Sequence, residues 1–197
     1  MRILDSYFIK RNTIVIIPVY YKNGELYSIV LQGDEPILVL MSPSMIIELS
    51  LLHYGSSIQG ACTGSRSVLG NIKMIPLRIS GELEIYWFPC SSPSKGDCVW
   101  FSQAHVKDKM PKGLDQTYVY LTSGHRITVD MKKKCFDRKF EKATVLRYIQ
   151  SERNKFSESD NYESLSGFQI WKDPNNPYHY DIKGLEWVHE MEATYLH

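Results

Sequence analysis

The sequence predicts an α+β fold: a central antiparallel β-sheet with hairpins, a short helix before a glycine- and serine-rich loop, and a basic helix plus a helical tail after the sheet. Three observations carry the prediction. Runs of β-branched and aromatic residues of strand length recur from Thr13 to Met131, separated by Gly, Pro and Ser. A capped helical pattern interrupts them between Ser42 and Gly55. From Lys132 onward, "KKKCFDRKFEKATVLRYIQSER" has neither Gly nor Pro and is rich in helix formers.

In chain order, "TIVIIPVYYKNGELYSIVL" is two strands around Asn23-Gly24, a pair that accepts the positive φ angles of a tight hairpin turn. Pro18 has no N–H for a ladder, so its strand is expected to lie at an edge or carry a bulge. In "SPSMIIELSLLHYG", Ser42 is the expected N-cap, Pro43 the first helical residue and Gly55 a left-handed terminator, with Met45, Ile46, Leu49 and Leu52 on the docking stripe. His53 is expected at the end of that helix, bonded to a terminal carbonyl.

Next come "NIKMIPLRIS", "ELEIYWFP", "CVWFSQAHVK", "TYVYLTSG" and "HRITVDM", all of strand length, with Ser123-Gly124 as a second hairpin turn. Trp100 and Val106 are expected to face the core. On the basic helix, Phe136, Phe140 and Ala143 share one stripe, while Arg138, Lys139, Lys142 and Arg153 fall on the other side with Val145 and Ile149 among them. Residues 157–167 read as a polar linker and "DIKGLEWVHEMEATYLH" as a short helix; no internal repeat is visible. The expected organisation is a domain over 1–155 and an acidic tail over 156–197.

Composition narrows the function. The chain of 197 residues is 43% hydrophobic and 12% aromatic, enough for a core and unlike a disordered chain. No apolar run approaches the roughly 20 residues of a membrane helix, and "MRILDSYFIK" lacks an uninterrupted signal-peptide core, so a cytoplasmic protein is expected. Cys62, Cys90, Cys98 and Cys135 form no C-x-x-C pair, and buried or free reduced thiols are expected rather than disulfides. Cys90, Cys98 and His105 match no zinc spacing, so neither metal nor cofactor is expected.

The net charge of +1 conceals a sharp break. Residues 131–155 carry nine basic and three acidic side chains, and residues 156–197 carry two and eight. The first block is a basic surface for a polyanion or a solvated helix face balanced by an acidic neighbour, and charge alone does not choose.

"LLHYGSSIQGACTGSR" is no phosphate cradle, because Gly55, Gly60 and Gly64 follow a helix and precede strands, and the P-loop lysine is missing. Nor is it a nucleophile elbow, since Ser56 directly follows Gly55 and no base sits at a suggestive spacing; no enzyme is expected. It is then either a long connector or a loop whose bare backbone and hydroxyls, Ser56, Ser57 and Ser65, approach a sugar-phosphate chain.

These residues resemble a known family. "HYGSSIQGACTGS" is similar to the F-F-G-S-S-x-x-G-x-x-x-G-T signature of the ComK family of bacterial competence transcription factors. "EIYWFPCSS", "CVWFSQAHVKD", "TSGHRITVD" and "CFDRKFEKATVLR" resemble further elements of that family in the same order, from about Thr13 to Arg153. The resemblance implies a transcriptional activator that binds A/T-run boxes in double-stranded DNA, chiefly through the minor groove, as a dimer or tetramer.

The resemblance points to Gly55, Ser56, Ser57, Gly60, Gly64, Ser65 and Arg66 in the loop, and to Lys73 as what is left of a K-P-P element. It also points to His105 and Lys107 in the second element, and the basic helix adds Lys132, Lys133, Lys134, Arg138, Lys139 and Lys142 as candidate DNA contacts. Where the family places basic residues after the second loop glycine, this chain has Ala61 and Cys62. That departure leaves open a non-catalytic, protein-binding regulator with weak or lost DNA binding. In the tail, "GFQIWKD" resembles the motif by which the family meets a MecA-type adaptor and a Clp protease, with Phe168, Ile170 and Trp171 as anchors; the same three side chains could instead pack on the parent domain.

Overall fold

The computed structural model describes residues 1–21, 24–96, 98–158, 169–174, 178 and 180–183. The chain divides into two compact units, Met1–Ser157 and Glu158–His197. The first is mixed α+β, as the sequence predicts.

Its large sheet contains β1 (Arg2–Leu4), β2 (Thr13–Tyr20), β3 (Leu26–Gln32), β4 (Glu35–Val39), β5 (Leu77–Ser80), β6 (Ile85–Pro89) and β7 (Trp100–Ser102), in the spatial order β1-β4-β3-β2-β7-β6-β5. Every pairing is antiparallel except β1 with β4. Helices α1 (Pro43–His53) and α2 (Ile58–Leu69) form the connection between β4 and β5. A second sheet, ordered β10-β9-β8, contains β8 (Val106–Lys112), β9 (Gln116–Leu121) and β10 (Arg126–Val129), and leads into the long helix α3 (Lys133–Glu158).

The large sheet is covered on both faces, which explains why β6 is buried at all five positions instead of alternating. On one face, Ile46, Ile47 and Leu51 of α1 and Ala61 of α2 join Ile16, Val30, Ile37, Trp87 and Trp100 in one core. On the other, Phe88 and Phe101 meet Val119 and Leu121 of β9 and Phe136 and Ala143 of α3. Adjacent strand residues serve opposite cores, Trp87 and Trp100 the first and Phe88 and Phe101 the second. Trp100 and Val106 are buried, as strand alternation requires.

The hairpin of β2 and β3 has Gly24 at φ 83°, and a register shift between Thr13 and Val15 lets consecutive Ile14 and Val15 join the same core. Pro18 lies beyond the two residues of β2 that pair with β7, so it sits where the strand has one neighbour. The turn at Ser123-Gly124 joins β9 and β10, with both residues at positive φ.

Helix α1 has the expected ends: Ser42 Oγ accepts from the Met45 N–H, and Gly55 follows at φ 75°. Its buried face differs from the expected stripe. Pro43, Ile46, Ile47, Ser50 and Leu51 point inward, while Met45 and Leu52 are exposed. A serine disguises the pattern, because Ser50 Oγ donates to the Ile46 carbonyl at 2.6 Å and accepts from the Ile9 N–H at 2.9 Å, so its burial leaves nothing unpaired. His53 stacks on Phe8, ring centroids 4.4 Å apart, rather than bonding a helix-end carbonyl.

The larger correction is α2. Most of the expected glycine loop is helix, and the connection from α1 is only Tyr54–Ser57. In the second unit, β11 (Gln169–Lys172) pairs antiparallel with β12 (Tyr180–Lys183), so the expected tail helix begins as strand; its remainder and residues 159–167 of the expected linker lie outside the described residues.

Candidate functional site

Helix α2 forms despite two internal glycines because both ends are specified. Ser57 is the N-cap, its Oγ accepting from the Gly60 N–H at 3.1 Å, and Gly70 ends the helix at φ 73°. Ala61 and Ser65, four residues apart, are the buried positions. They are small, so α2 can lie close to the elements beneath it.

A neighbouring side of the helix is small as well. Gly60, Thr63, Gly64 and Ser67 recur at helical spacing, and all but half-buried Gly64 are exposed. Neither Gly60 nor Gly64 has a positive φ, and a Cβ at Gly64 would meet nothing within 4 Å, so neither local strain nor packing within this chain demands glycine there. At Gly60 a Cβ would come within 3.3 Å of Ser57 Oγ, which ties that glycine to the cap. Ser65, a candidate phosphate donor, is 1% exposed and its hydroxyl is turned inward without a partner. It is a buried helix residue instead.

Arg66 and Lys73 flank the turn after α2, and both line one groove of about 510 Å³ with Ile47, Cys62, Leu77 and Trp100. Neither cation has an acidic partner among the described residues. The segment carrying Lys73 also touches α3, since Lys139 Nζ lies 3.0 Å from Met74 Sδ. Two regions far apart in sequence, α2 and the basic helix, thereby meet through residues 73–74.

The basic candidates on and before α3 divide into spent and free charges. Lys132 pairs with Asp115 at 3.3 Å and Lys133 with Asp137 at 2.6 Å. Asp137 also holds Lys109 at 3.4 Å; burial alone would raise its carboxyl pKa, but these two ammonium groups outweigh that and hold it below the usual carboxylate value. Lys139, expected on the solvent side, is half-buried beside Cys90 and Cys98, and burial lowers its pKa. Lys134, Arg138 and Lys142 have no acidic partner among the described residues and follow one another at four-residue spacing, a single basic ridge along α3.

In the second element, Lys107 is exposed and unpaired among the described residues. His105 is not available. Its Nε2 donates to the Arg11 carbonyl at 2.7 Å, which leaves Nδ1 to accept from the Thr122 hydroxyl at 2.8 Å, so the imidazole braces β8 against distant segments. Cys90 and Cys98 are buried free thiols, and burial pushes Cys90 up to about 12, which keeps it a neutral thiol. Among the described residues no group of metal-binding side chains is present.

Three cationic or aromatic residues on the second sheet escape a reading by sequence neighbourhood. Lys112 and Arg126 lie over the Tyr118 ring at 5.2 and 4.8 Å, although they come from different strands. Only the hairpin register brings them together. In the second unit, Ile170 is 60% and Trp171 45% exposed on β11, while Phe168 lies outside the described residues. No described helix is long and apolar enough to cross a membrane.

Comparison with known proteins bears on this arrangement. A family model described as ComK protein matches residues 4–155. The chain is similar to a competence transcription factor from Bacillus subtilis (strain 168), with 26% identity over 144 residues, covering 73% of this chain and 74% of the relative. No solved structure matches.

Proposed function

The chain belongs to the ComK family, and on that premise we propose that it is a competence-type transcription regulator, without catalytic activity, that binds A/T-rich double-stranded DNA through the minor groove as a homo-oligomer. The observation that carries this reading is the small stripe of α2, with unpaired Arg66 on the neighbouring Ile58–Cys62–Arg66 row and Lys73 beyond the helix end. A helix surface without long side chains can lie against a sugar-phosphate backbone, and a few cations suffice because the A·T minor groove is narrow and electronegative. The ridge of Lys134, Arg138 and Lys142 then serves phosphates, which position the protein without reading bases. Ser56, Ser57 and Lys107 complete the proposed contact set.

Binding titrations with matched A/T-box and G·C-rich duplexes over a range of salt test the reading. The A/T boxes are expected to bind more tightly, and replacing their A·T pairs with inosine·cytosine pairs is expected to be tolerated, because that swap keeps the minor-groove pattern and alters the major groove. Changing Lys134, Arg138 and Lys142 to Ala is expected to flatten the log–log salt slope by about 2 to 3, at roughly 0.9 per phosphate contact, with A/T preference intact. Collapse on the inosine swap would mean major-groove recognition, and an unchanged slope would remove the ridge from the interface.

One observation favours a second reading, a protein-binding regulator with little DNA affinity. Ala61 is buried and Cys62 half-buried, so the first turns of α2 present no cation. Absence of binding to either duplex at low salt selects it.

We further propose that residues 156–197 are a regulatory appendage through which a MecA-type adaptor delivers the chain to a Clp protease. Exposed Ile170 and Trp171 on an acidic segment support it, since large apolar side chains displayed in this way suit a partner's groove. The variant Ile170→Ala/Trp171→Ala is expected to lengthen cellular half-life at an unchanged melting temperature. A shorter half-life with a lower melting temperature would make the two side chains structural.

A further inference from the structure

The groove beneath α2 has the composition of a ligand site. Its volume is about 510 Å³, and its walls are Ile47, Ile58, Cys62, Ile75 and Leu77. Pockets of this size that take small molecules are mostly apolar, with a few polar groups that fix orientation.

Here the polar groups are specific. Arg66 and Lys73 line the same groove, are exposed, and lack acidic partners among the described residues. Trp100, 3% exposed, adds to the apolar wall. Two unneutralised cations beside an apolar cleft are complementary to an amphipathic anion. They do not suit a cation, and an uncharged hydrocarbon would gain nothing from either charge.

We propose that this groove binds a small carboxylate with an apolar body, its carboxylate on Arg66 and Lys73 and its hydrocarbon against Ile47, Ile75 and Leu77. Binding itself is independent of any role in DNA recognition. Its consequence for DNA rests on the proposed function, in which Arg66 and Lys73 face the duplex. A carboxylate that occupies both cations removes them from DNA, so the two ligands compete, and by linkage each weakens the other by the same factor.

The test uses the full-length chain and decanoate as the probe, with decanol as its uncharged counterpart, and calorimetry as the readout. Saturable decanoate binding is expected, tighter than decanol by tenfold or more. The variant Arg66→Gln/Lys73→Gln changes only exposed side chains, so the fold is expected to persist, and thermal unfolding of the variant checks this. It should lose that tenfold preference while binding decanol as before. Equal affinity for decanoate and decanol, decanoate binding unchanged in the variant, or no saturable binding would each overturn the proposal. A separate titration of the A/T-box duplex with decanoate present reads the coupling: if decanoate binds as stated but DNA affinity does not change, the groove stands and the assignment of Arg66 and Lys73 to DNA falls.

Discussion

Replacing Gly64 with leucine is expected to stabilise the protein and to remove most of its DNA affinity. The residue lies inside α2 with no positive φ, and a Cβ there would meet no atom within 4 Å, so neither the backbone nor a neighbour opposes the first side-chain carbon. Leucine is a better helix former than glycine by about 0.5 to 1 kcal/mol, because glycine loses the most backbone freedom on folding. The expected gain is therefore of that size, read as a rise of a few degrees in melting temperature at most.

Binding should move the other way. If the small stripe of α2 lies against a DNA backbone, a leucine at its centre holds the helix away, and a loss of about 1.4 kcal/mol or more appears as a tenfold or greater rise in Kd. Opposite signs distinguish this outcome from partial unfolding, which would lower both quantities. Gly60 is a poorer probe, because a side chain there presses on Ser57 Oγ and disturbs the cap. Unchanged affinity in Gly64→Leu would detach α2 from the interface.

The same two glycines explain why α2 was hidden in the sequence. Each costs a helix about 1 kcal/mol relative to alanine, and Ser and Thr beside them favour turns, so local propensity reads Gly55–Arg66 as loop. The opposing signals were the cap at Ser57, the four-residue spacing of Ala61 and Ser65, and the terminator at Gly70. Tertiary burial of that small stripe decides in their favour. By contrast the strand runs, both hairpin turns and the ends of α1 were legible, because alternation, turn chemistry and capping are local. The three residues of β1 are too few to show a period, and their parallel partners in β4 lie 35 residues away.

For the candidate site, residue type was legible and availability was not. Lys132 is paired at the surface with Asp115 from the β8–β9 turn, and His105 is consumed by Thr122 and by the Arg11 carbonyl, 17 and 94 residues distant. Those partners come from the fold. Conversely, Arg66 and Lys73 share a groove because Gly70 turns the chain between them, and Lys139 reaches Met74 across 65 positions. A charge count over 131–155 sees nine cations of equal standing, whereas packing leaves Lys134, Arg138 and Lys142 as the ridge without acidic partners.

That ridge depends on one aromatic anchor, and Phe136→Ala is expected to cost about 3 to 5 kcal/mol of stability, the usual range for deleting a buried phenylalanine ring. Phe136 is fully buried, with its ring edge-on to Phe101 at 5.2 Å and to Phe88 at 5.6 Å between centroids. Truncation removes both contacts and leaves a cavity between α3 and the large sheet. Since a domain of this kind is stable by roughly 5 to 15 kcal/mol, the loss is a large fraction of the total. The effect should concentrate on α3, because a helix with eight basic and four acidic residues repels itself and holds its shape by the apolar stripe of Phe136, Ala143 and Leu146. Hydrogen exchange is thus expected to accelerate most over Lys133–Ala143 and least in β2 and β3. DNA affinity should fall for A/T-box and G·C-rich duplexes alike, since the ridge serves phosphates and not bases. Phe140→Ala provides the comparison: this ring is only partly buried, covered by Lys109 Nζ 3.9 Å from its centroid, and its removal should cost less than half as much. Equal losses from the two substitutions, or a loss below about 1 kcal/mol for Phe136→Ala, a value ordinary for surface changes, would show that α3 is held by its length and charges and not by the aromatic cluster.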